Sequence, residues 1–370
     1  MSIITPYPQL LIDLAKVRAN ARALKALNQE QNIETTIITK GVAGDRQVSQ
    51  AILEAGISSI GSSRLSHLET VKSLDSTIYT LMIRIPMLSE LDQMLEVANA
   101  SLQSELVTIQ ATDQLAQDKS QVHDIILMVE LGDLREGFLH PQELVEVAKR
   151  VEFDCPGLYL KGIGSNLGCY GSIRPTREKM EDLSELARQV EAAIGRSLDW
   201  VSGGASTNMP LVLNQSMPAK INHLRLGYVT YSRGLEADFD FSLEQTQDAA
   251  FQIRAEIIEV KDKPSHPIGE IVADAFGRRP VYQDIGTRRR ALLALGRQDV
   301  GELEKLSPLD SHITIVGGSS DHLIVDLSNC QNTYQVGDQL DFVLDYENIL
   351  YAMNAQDLNK QYSDDSNSSL

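Results

Sequence analysis

The chain has 370 residues, of which 42% are hydrophobic and only 5% aromatic, and its formal net charge is −18. This composition is typical of a globular protein with a large aliphatic core, and no apolar run approaches the roughly 20 residues of a membrane span. The acidity argues against binding to nucleic acid or to an anionic membrane, because those surfaces carry charge of the same sign.

The amino terminus lacks the basic region and the apolar stretch of a targeting signal, so we expect a cytoplasmic protein. From there to about Gly234, short apolar runs alternate with amphipathic helical stretches. The strand-like runs are Thr35–Lys40, Ile57–Gly61, Thr80–Arg84, Ser101–Gln103, Asp124–Glu130, Leu158–Gly164, Trp200–Ser202 and Asn222–Leu226. The helical stretches include Ala15–Asn28, Gln47–Glu54, Pro141–Val151 and Arg177–Ala193. This alternation requires a parallel sheet, and eight strands predict an α/β fold closed as a (β/α)8 TIM barrel.

After Gly234 the pattern changes to longer alternating segments separated by glycine and proline turns, which is typical of a mainly antiparallel β-domain. Its segments are Phe251–Val260, Arg290–Leu295, Ile313–Val316, Leu323–Leu327 and Gln339–Leu344. We therefore predict a barrel over residues 11–234 and a β-domain over residues 235–360. We expect the strand within residues 1–14 to join the β-domain and the polar residues 361–370 to form a disordered tail.

Polar residues follow the predicted barrel strands at the carboxyl ends, where barrel enzymes assemble their active sites. Lys40 closes the first strand, and a partly desolvated amine there can form a Schiff base with an aldehyde. Arg135 lies in a loop after the fifth strand, and Asn166 follows the sixth among small residues. The loops after strands seven and eight contain Ser206 and Arg225, in the region where this fold most often binds phosphate. An amine, an anion cradle and a buried arginine together match pyridoxal 5′-phosphate.

Several motifs stand in the order of one known group of enzymes. They are Thr39-Lys40-Gly41-Val42, Gly61-Ser62-Ser63-Arg64, Arg84-Ile85-Pro86-Met87, residues 131–137, residues 166–171, Ser202-Gly203-Gly204, Leu224-Arg225-Leu226-Gly227 and Gly318-Ser319-Ser320-Asp321-His322. With these motifs the chain resembles the alanine-racemase-like, fold-type-III pyridoxal phosphate enzymes, and among them the ornithine racemase group. The resemblance covers nearly the whole chain.

The resemblance implies a role for each matching residue. Lys40 is then the Schiff-base lysine and general base, and Arg225 is the partner of the pyridine nitrogen. Arg135 lies near the cofactor hydroxyl and the substrate carboxylate, and Asn166 adjoins the cofactor. The phosphate is bound by Ser206 with the backbone amides of Gly227 and Tyr228.

An arginine at the ring nitrogen leaves that nitrogen unprotonated, because a guanidinium does not surrender its proton at neutral pH. Such a site favours brief removal and return of the α-proton, which is all that racemisation needs. In a two-base racemase one base takes the proton and a second base returns one on the opposite face. Lys40 serves one face.

The second base is open. Arg297 stands where related racemases place a tyrosine of the partner subunit, and arginine is a poor base. His322, Asp321 and Tyr282 are the other candidates, and His322 titrates closest to neutrality. A purely structural alternative is that Asp321 and His322 stabilise a turn or a dimer interface. The resemblance implies a head-to-tail homodimer.

Three functions remain open. The favoured one is a racemase for a basic amino acid, ornithine or lysine. The distal ammonium of this substrate would bind to one of five acidic residues, Glu130, Asp133, Glu136, Asp299 or Asp321. The second is a noncatalytic carrier of pyridoxal 5′-phosphate, which the C-terminal domain disfavours. The third is a D-amino-acid lyase, whose usual His–Cys metal pair is poorly matched by Asp321-His322 and Cys330. The cysteines and the other histidines show no ligand spacing, so we predict no metal.

Overall fold

A computed structural model describes residues 6–364. The chain forms two compact units. One unit is Ala15–Asp248, and the other joins the segment up to Leu14 to the segment from Ala249 onward. Within the described residues, no helix combines the length and the hydropathy that crossing a membrane requires.

The first strand, β1 (Gln9–Asp13), pairs in the second unit, and the next eight strands close a parallel barrel in the first. These eight are β2 Glu34–Ile38, β3 Ser59–Ser62, β4 Tyr79–Met82, β5 Ala100–Gln103, β6 His123–Met128, β7 Leu158–Gly164, β8 Trp200–Ser202 and β9 His223–Leu226. Pairing of β2 with β9 closes the ring, with Thr36 opposite Arg225. All eight predicted runs therefore form barrel strands, and the fold-class prediction is confirmed.

Helices connect the barrel strands. They are α1 Leu14–Gln29, α2 Arg46–Glu54, α3 Leu65–Leu74, α4 Leu91–Val97, α5 Leu106–Asp118, α6 Pro141–Asp154, α7 Arg177–Ile194, α8 Met209–Leu213, α9 Tyr228–Tyr231 and α10 Leu235–Phe239. The longest, α7, begins where the Thr176 hydroxyl accepts a hydrogen bond from the Lys179 N–H. It buries Met180, Leu183 and Ala187 at helical spacing and ends at Gly195 in the left-handed region.

Buried polar side chains line part of the barrel. Both ring nitrogens of His223 are hydrogen-bonded, Nε2 to the Thr36 hydroxyl and Nδ1 to the Ser202 hydroxyl. The His223 ring stacks on Trp200 with 3.9 Å between ring centroids. Below it, the Lys161 ammonium lies 5.0 Å from the Trp200 ring and 3.3 Å from the Asp124 carboxylate. Because buried polar groups must be paired, these contacts specify how the strands meet.

The second unit is a mainly antiparallel sheet. Its further strands are β10 Phe251–Pro264, β11 Thr287–Leu293, β12 Ser307–Pro308, β13 Thr314–Gly318, β14 Leu323–Asp326, β15 Gln339–Val343 and β16 Asn359–Ser363, and its helices are α11 Arg297–Val300 and α12 Tyr346–Asn354. The strand order is β12-β15-β10-β11-β14-β13, and β1 pairs antiparallel with β10 and parallel with β16. Along β10 the alternate residues Phe251, Ile253, Ala255 and Ile257 are buried, which is the periodicity of a strand with one face on a core.

The unit boundary lies after the sequence-predicted one at residue 234. The Asn20 amide of α1 donates to Thr230 O and Gln247 O and accepts from Gln247 N, which ties the segment up to Asp248 to the barrel. At the other end, β16 includes Gln361 and Tyr362, which pair with Leu11 and Ile12. Residues 361–363, which the sequence predicts to be part of a disordered tail, are therefore strand residues held by a backbone ladder. Residues 365–370 and 1–5 lie outside the described residues.

Gly162 is a position where the barrel tolerates no side chain. A Cβ there would lie 1.9 Å from the Trp200 carbonyl oxygen, whereas a Cβ on Gly195 would meet nothing within 4 Å. We expect Gly162→Ala to cost about 3 kcal/mol through forced backbone displacement. Gly195→Ala should cost about 1 kcal/mol, because only its φ of +78° is unfavourable. Urea unfolding followed by circular dichroism measures both, and equal midpoints for the two variants would contradict this view of the barrel.

Candidate active site

Lys40 stands directly after β2, in a 3-10 turn of Lys40–Val42. Ala43 and Gly44 follow with φ of 51° and 62°, and this left-handed pair brings Asp45 to the start of α2 as its N-cap. A Cβ on Gly44 would lie 2.5 Å from His67 Cβ, so the turn requires glycine. A rigid turn therefore holds the lysine at the carboxyl end of the barrel strands.

The Lys40 amine is half-buried, and within residues 6–364 no group hydrogen-bonds to it. Burial lowers the pKa of Lys40, because a charged ammonium is poorly solvated there. The nearby Cys169 and Glu136 raise this pKa and the Arg135 cation lowers it, with burial the largest effect. The amine is thereby shifted toward its neutral, nucleophilic and basic form.

Arg225 is a buried cation on β9, with 4% of its surface exposed. Its guanidinium donates to the Ser202 hydroxyl and, over 2.7 Å, to the Ser165 carbonyl oxygen. Among residues 6–364 no carboxylate pairs with it. Burial lowers the pKa of Arg225 to about 10, an effect that Glu136 opposes and Arg135 reinforces. Burying a charge without an opposite one costs several kcal/mol, so the hydrogen bonds to Ser202 and Ser165 are needed to hold this cation in the barrel.

Arg135 and Glu136 form an ion pair between neighbouring residues in the loop after β6. The Arg135 guanidinium also donates to the Cys169 sulfur over 2.8 Å. The charges of Arg135 and Glu136 act on the pKa of both Lys40 and Arg225. These groups from three different strand ends therefore share one barrel mouth.

Two acidic residues fix the loops that carry these groups. Glu130 accepts from the backbone N–H of Gly132 and Arg135, the second over 3.0 Å. Asp133 is buried and accepts from the backbone N–H of Tyr170 over 3.0 Å and of Cys169 over 3.3 Å. Burial alone would raise the pKa of Asp133, but these amides lower it overall. Both carboxylates therefore hold the rim together.

The opposite side of the mouth contains the residues assigned to a phosphate. Ser206 begins a 3-10 turn after β8, and its hydroxyl oxygen accepts from Gly227 N over 3.2 Å and Val229 N over 3.4 Å. The hydroxyl proton remains available for an anion. Tyr228 opens α9 just after Gly227. Asn166 is half-buried between Ser165, which binds Arg225, and Leu167, whose carbonyl accepts from the Thr207 hydroxyl.

Asp321 and His322 lie in the second unit, exposed on the hairpin between β13 and β14. The Ser319 hydroxyl accepts from both of their backbone N–H groups, over 3.3 and 3.1 Å. The hairpin also accepts from Arg297 N at Ser319 O and from Gln298 N at Ser320 O, over 3.0 and 3.2 Å. His322 is thus a direct neighbour of the segment that begins at Arg297.

The remaining candidates in this unit have structural partners. Arg297 pairs with Glu302 and Glu304 over 2.9 and 2.7 Å, and its guanidinium lies 5.2 Å from the Phe276 ring centroid. Asp299 accepts from Gly296 N over 2.8 Å as a cap of α11, and burial raises the pKa of Asp299. Tyr282 lies edge-on to His266 at 6.3 Å between ring centroids.

Lys40, Arg135 and Arg225 lie near one another at the carboxyl ends of the barrel strands. The carboxyl ends of barrel strands also carry Asn166, Ser206, Gly227 and Tyr228. Asp321 and His322 lie in the other unit. Sequence reasoning missed the contacts of Ser202 and His223. The one available signal was spacing, since His223 and Arg225 are two apart on one strand and so share a face. In the described part of the chain, no group of three or more His, Cys, Asp or Glu residues is placed to hold a metal ion.

Comparison with known proteins gives consistent relatives. The family model described as "Alanine racemase, N-terminal domain" matches residues 12–233. The chain is 34% identical to an ornithine racemase of Acetoanaerobium sticklandii over 355 residues, which are 96% of this chain and 99% of that protein. It is 33% identical to a lysine racemase of Thermotoga maritima over 356 residues, 96% of this chain and 98% of that protein.

Solved structures share the fold at low identity. An alanine racemase from Streptomyces lavendulae superposes with a TM-score of 0.75 at 17% identity, covering 98% of each chain. A D-threonine aldolase from Filomicrobium marinum gives 0.74 at 14% identity, covering 97% of this chain and 92% of that one. Likeness at this level shows the fold alone.

The electrostatics of the mouth predict the order in which lysines lose their protons. Burial lowers the pKa of Lys40 below 10.5, whereas hydrogen bonds to Asp92 and Glu96 raise the pKa of Lys119 above that value. Competitive acetylation at a series of pH values, read by mass spectrometry on protein stripped of bound aldehyde with hydroxylamine, measures both midpoints. We expect Lys40 to become reactive at lower pH than Lys119. The reverse order would mean that the mouth does not desolvate its lysine.

Proposed function

The chain belongs to the alanine racemase N-terminal domain family and is an amino-acid racemase, and from this premise we propose that it uses pyridoxal 5′-phosphate to racemise a basic amino acid, ornithine or lysine. Family membership confirms the resemblance that the sequence motifs indicated. The cofactor, the substrate and the roles of individual residues are the proposed parts.

The observation that carries the cofactor is the buried guanidinium of Arg225, which has neutral hydrogen-bond partners and no carboxylate among residues 6–364. A neutral ring nitrogen is an acceptor that suits a cation which cannot give up its proton. When bound, pyridoxal 5′-phosphate supplies an aldehyde that condenses with amines and a ring that withdraws electron density from the substrate α-carbon. The Ser206 hydroxyl, with Gly227 and Tyr228 at the start of α9, suits the phosphate end.

Lys40 moves the proton on one face of the substrate. Its amine is desolvated and without a hydrogen-bond partner among the described residues, so it is present partly in the basic form. We assign Asn166 to the cofactor ring because it directly follows Ser165, whose carbonyl oxygen accepts from Arg225.

The ion pair of Arg135 and Glu136 suits a basic amino acid. Such a substrate brings an α-carboxylate and a distal ammonium, which match the two members of the pair. We expect the pair to open on binding, with Arg135 taking the carboxylate and Glu136 the ammonium. Glu130, Asp133 and Asp299 are engaged by backbone amides instead. The ornithine and lysine racemases that align over 96% of this chain support a substrate of this class.

For the opposite face we assign the second base to the partner's His322, with Asp321 beside it. Arg297, at the position of the family's tyrosine, is held in ion pairs by Glu302 and Glu304. His322 adjoins that segment through backbone contacts and is exposed. Among residues 6–364, its ring has one hydrogen-bond contact, to the Ser319 hydroxyl over 3.5 Å. An imidazole has one ring nitrogen that can accept a proton and one that can donate a proton. The assignment requires a head-to-tail homodimer.

The substrate class is tested by NMR detection of α-proton exchange into D₂O with L-ornithine, L-lysine, L-arginine, L-alanine and L-serine. We expect exchange with matching loss of optical activity for ornithine or lysine. Glu136→Gln should lower kcat/KM for that substrate by about tenfold or more, because a charged hydrogen bond is lost. The loss should be larger for the basic substrate than for alanine, because the effect of Glu136 on the pKa of Lys40 is common to both substrates. Exchange with no basic amino acid would refute the substrate class, and release of an aldehyde from a β-hydroxy amino acid would identify a lyase.

Subunit complementation tests the second base. Lys40→Ala and His322→Ala should each abolish racemisation, with His322→Ala keeping the visible absorbance of the cofactor. When the two variants are mixed, unfolded and refolded at equal amounts, we expect about a quarter of wild-type activity, because half of the dimers are mixed and each has one intact site. Lys72→Ala, at another partly desolvated lysine of the barrel, is the control and should stay active.

The outcomes separate the alternatives. Retained activity in His322→Ala removes this residue from the mechanism and leaves Asp321 and Tyr282. Two inactive variants without recovery on mixing would place Lys40 and His322 of the same chain in one site.

A further inference from the structure

A chain of hydrogen bonds runs through the barrel from Arg225. The Ser202 hydroxyl, which accepts from the Arg225 guanidinium, lies 2.8 Å from His223 Nδ1. His223 Nε2 lies 2.8 Å from the Thr36 hydroxyl, which lies 2.8 Å from the Ser59 hydroxyl. Each of these four side chains has at most 6% of its surface exposed. The chain crosses β8, β9, β2 and β3, four neighbouring strands that include the closing pair of the barrel.

We propose that this chain is a positioning device for Arg225, in which His223 is held neutral with its proton on Nε2. The inference rests on the proposed function only in assigning Arg225 to the cofactor ring. Ser202 contacts the Arg225 guanidinium and His223 contacts Ser202, so both act on the cofactor through the arginine.

The direction of the hydrogen bonds follows from the arginine, because a guanidinium can only donate. Ser202 Oγ therefore accepts from Arg225, and the Ser202 hydroxyl must donate its own proton to a different acceptor. Within residues 6–364 its other hydrogen-bond partner is His223 Nδ1, so Nδ1 accepts. The ring proton then lies on Nε2 and is donated to the Thr36 hydroxyl, whose proton points to Ser59.

An imidazolium would break this order. With protons on both ring nitrogens, His223 would donate to the Ser202 hydroxyl oxygen, as Arg225 does. The hydroxyl proton of Ser202 would then have no acceptor among the described residues. Burial also lowers the pKa of His223 well below its usual range, and the cations Arg225 and Lys161 lower it further. Trp200, stacked flat on the ring with 7° between the planes, holds the imidazole in the orientation that both hydrogen bonds need.

The consequence for Arg225 is a fixed guanidinium plane. One terminal nitrogen is bound to Ser202 and the other to the Ser165 carbonyl oxygen. A side chain held at two points has little freedom to turn its remaining N–H groups away from the ring nitrogen of a bound cofactor. Loss of the Ser202 contact would leave a buried cation free to reorient.

His123 provides a matched control. It is a buried barrel histidine that contacts a serine hydroxyl, Ser101, over 3.0 Å, and burial lowers the pKa of His123 to about 4. It has no contact with Arg225 among the described residues. Replacing either histidine therefore removes a similar buried polar group, but only His223 is linked to the arginine.

The first measurement is histidine NMR on wild-type holoenzyme labelled with ¹⁵N and ¹³C, with His223→Leu and His123→Leu used to assign the signals. We expect His223 to be a neutral imidazole with the proton on Nε2. A proton on Nδ1, or an imidazolium, overturns the proposal. Because the tautomer is read without substrate or turnover, a failure of the proposed function would leave this result intact. If His223→Leu does not fold, Ser202→Ala identifies the His223 signal through the change at Nδ1.

The second measurement compares variants by kinetics and by the visible absorbance of the cofactor. We expect Ser202→Ala and His223→Leu to lower kcat by about tenfold with little change in KM, and to shift the absorbance band, because the lost contact acts on the reacting ring. His223→Asn, which keeps an acceptor near Nδ1, should recover much of the loss. His123→Leu should change neither property. Identical behaviour of His223→Leu and His123→Leu would overturn the proposal.

Discussion

The buried guanidinium of Arg225 is the constraint on which the site depends. A cation in the barrel, without a carboxylate among the described residues, is stable only if each of its donors has an acceptor. Ser165 and Ser202 supply two acceptors. From Ser202, hydrogen bonds continue through His223 and Thr36 to Ser59. Hydrogen bonding to one buried guanidinium therefore involves polar residues on four strands.

The rim of the barrel is built by acidic side chains that bind backbone rather than cations. Asp45 caps α2, Glu130 closes its own loop, and Asp133 joins that loop to the next one. A backbone amide that donates to a carboxylate stabilises the charged form of that carboxylate. Part of the net charge of −18 is therefore structural. The loops so fixed hold Arg135 and Glu136 beside Lys40, which is positioned by its own tight turn.

The second unit differs in a defined way from the pattern that the resemblance implies. Arg297 occupies the position of a tyrosine and forms ion pairs with Glu302 and Glu304, so its charge is used for structure. The hairpin that carries His322 contacts the same segment through its backbone. The hairpin and this segment are therefore held together by main-chain contacts that do not depend on the side chains of Arg297 and His322.

Periodicity in the sequence was sufficient for the eight barrel strands, the mainly antiparallel character of the second unit and the placement of Lys40 and Arg225 at strand ends. These features follow from local patterns, because alternation and helical spacing report which face of an element is buried. Contacts between distant residues were not accessible in this way. Three such contacts are the pairing of β16 with β1, the link of Asp133 to the loop after β7, and the contact of Ser202 with His223. Each joins residues that are far apart in sequence, so no local pattern predicts it. Only the closed barrel and the folded sheet bring these groups within hydrogen-bond distance, so the tertiary structure alone decided the partners of Arg225.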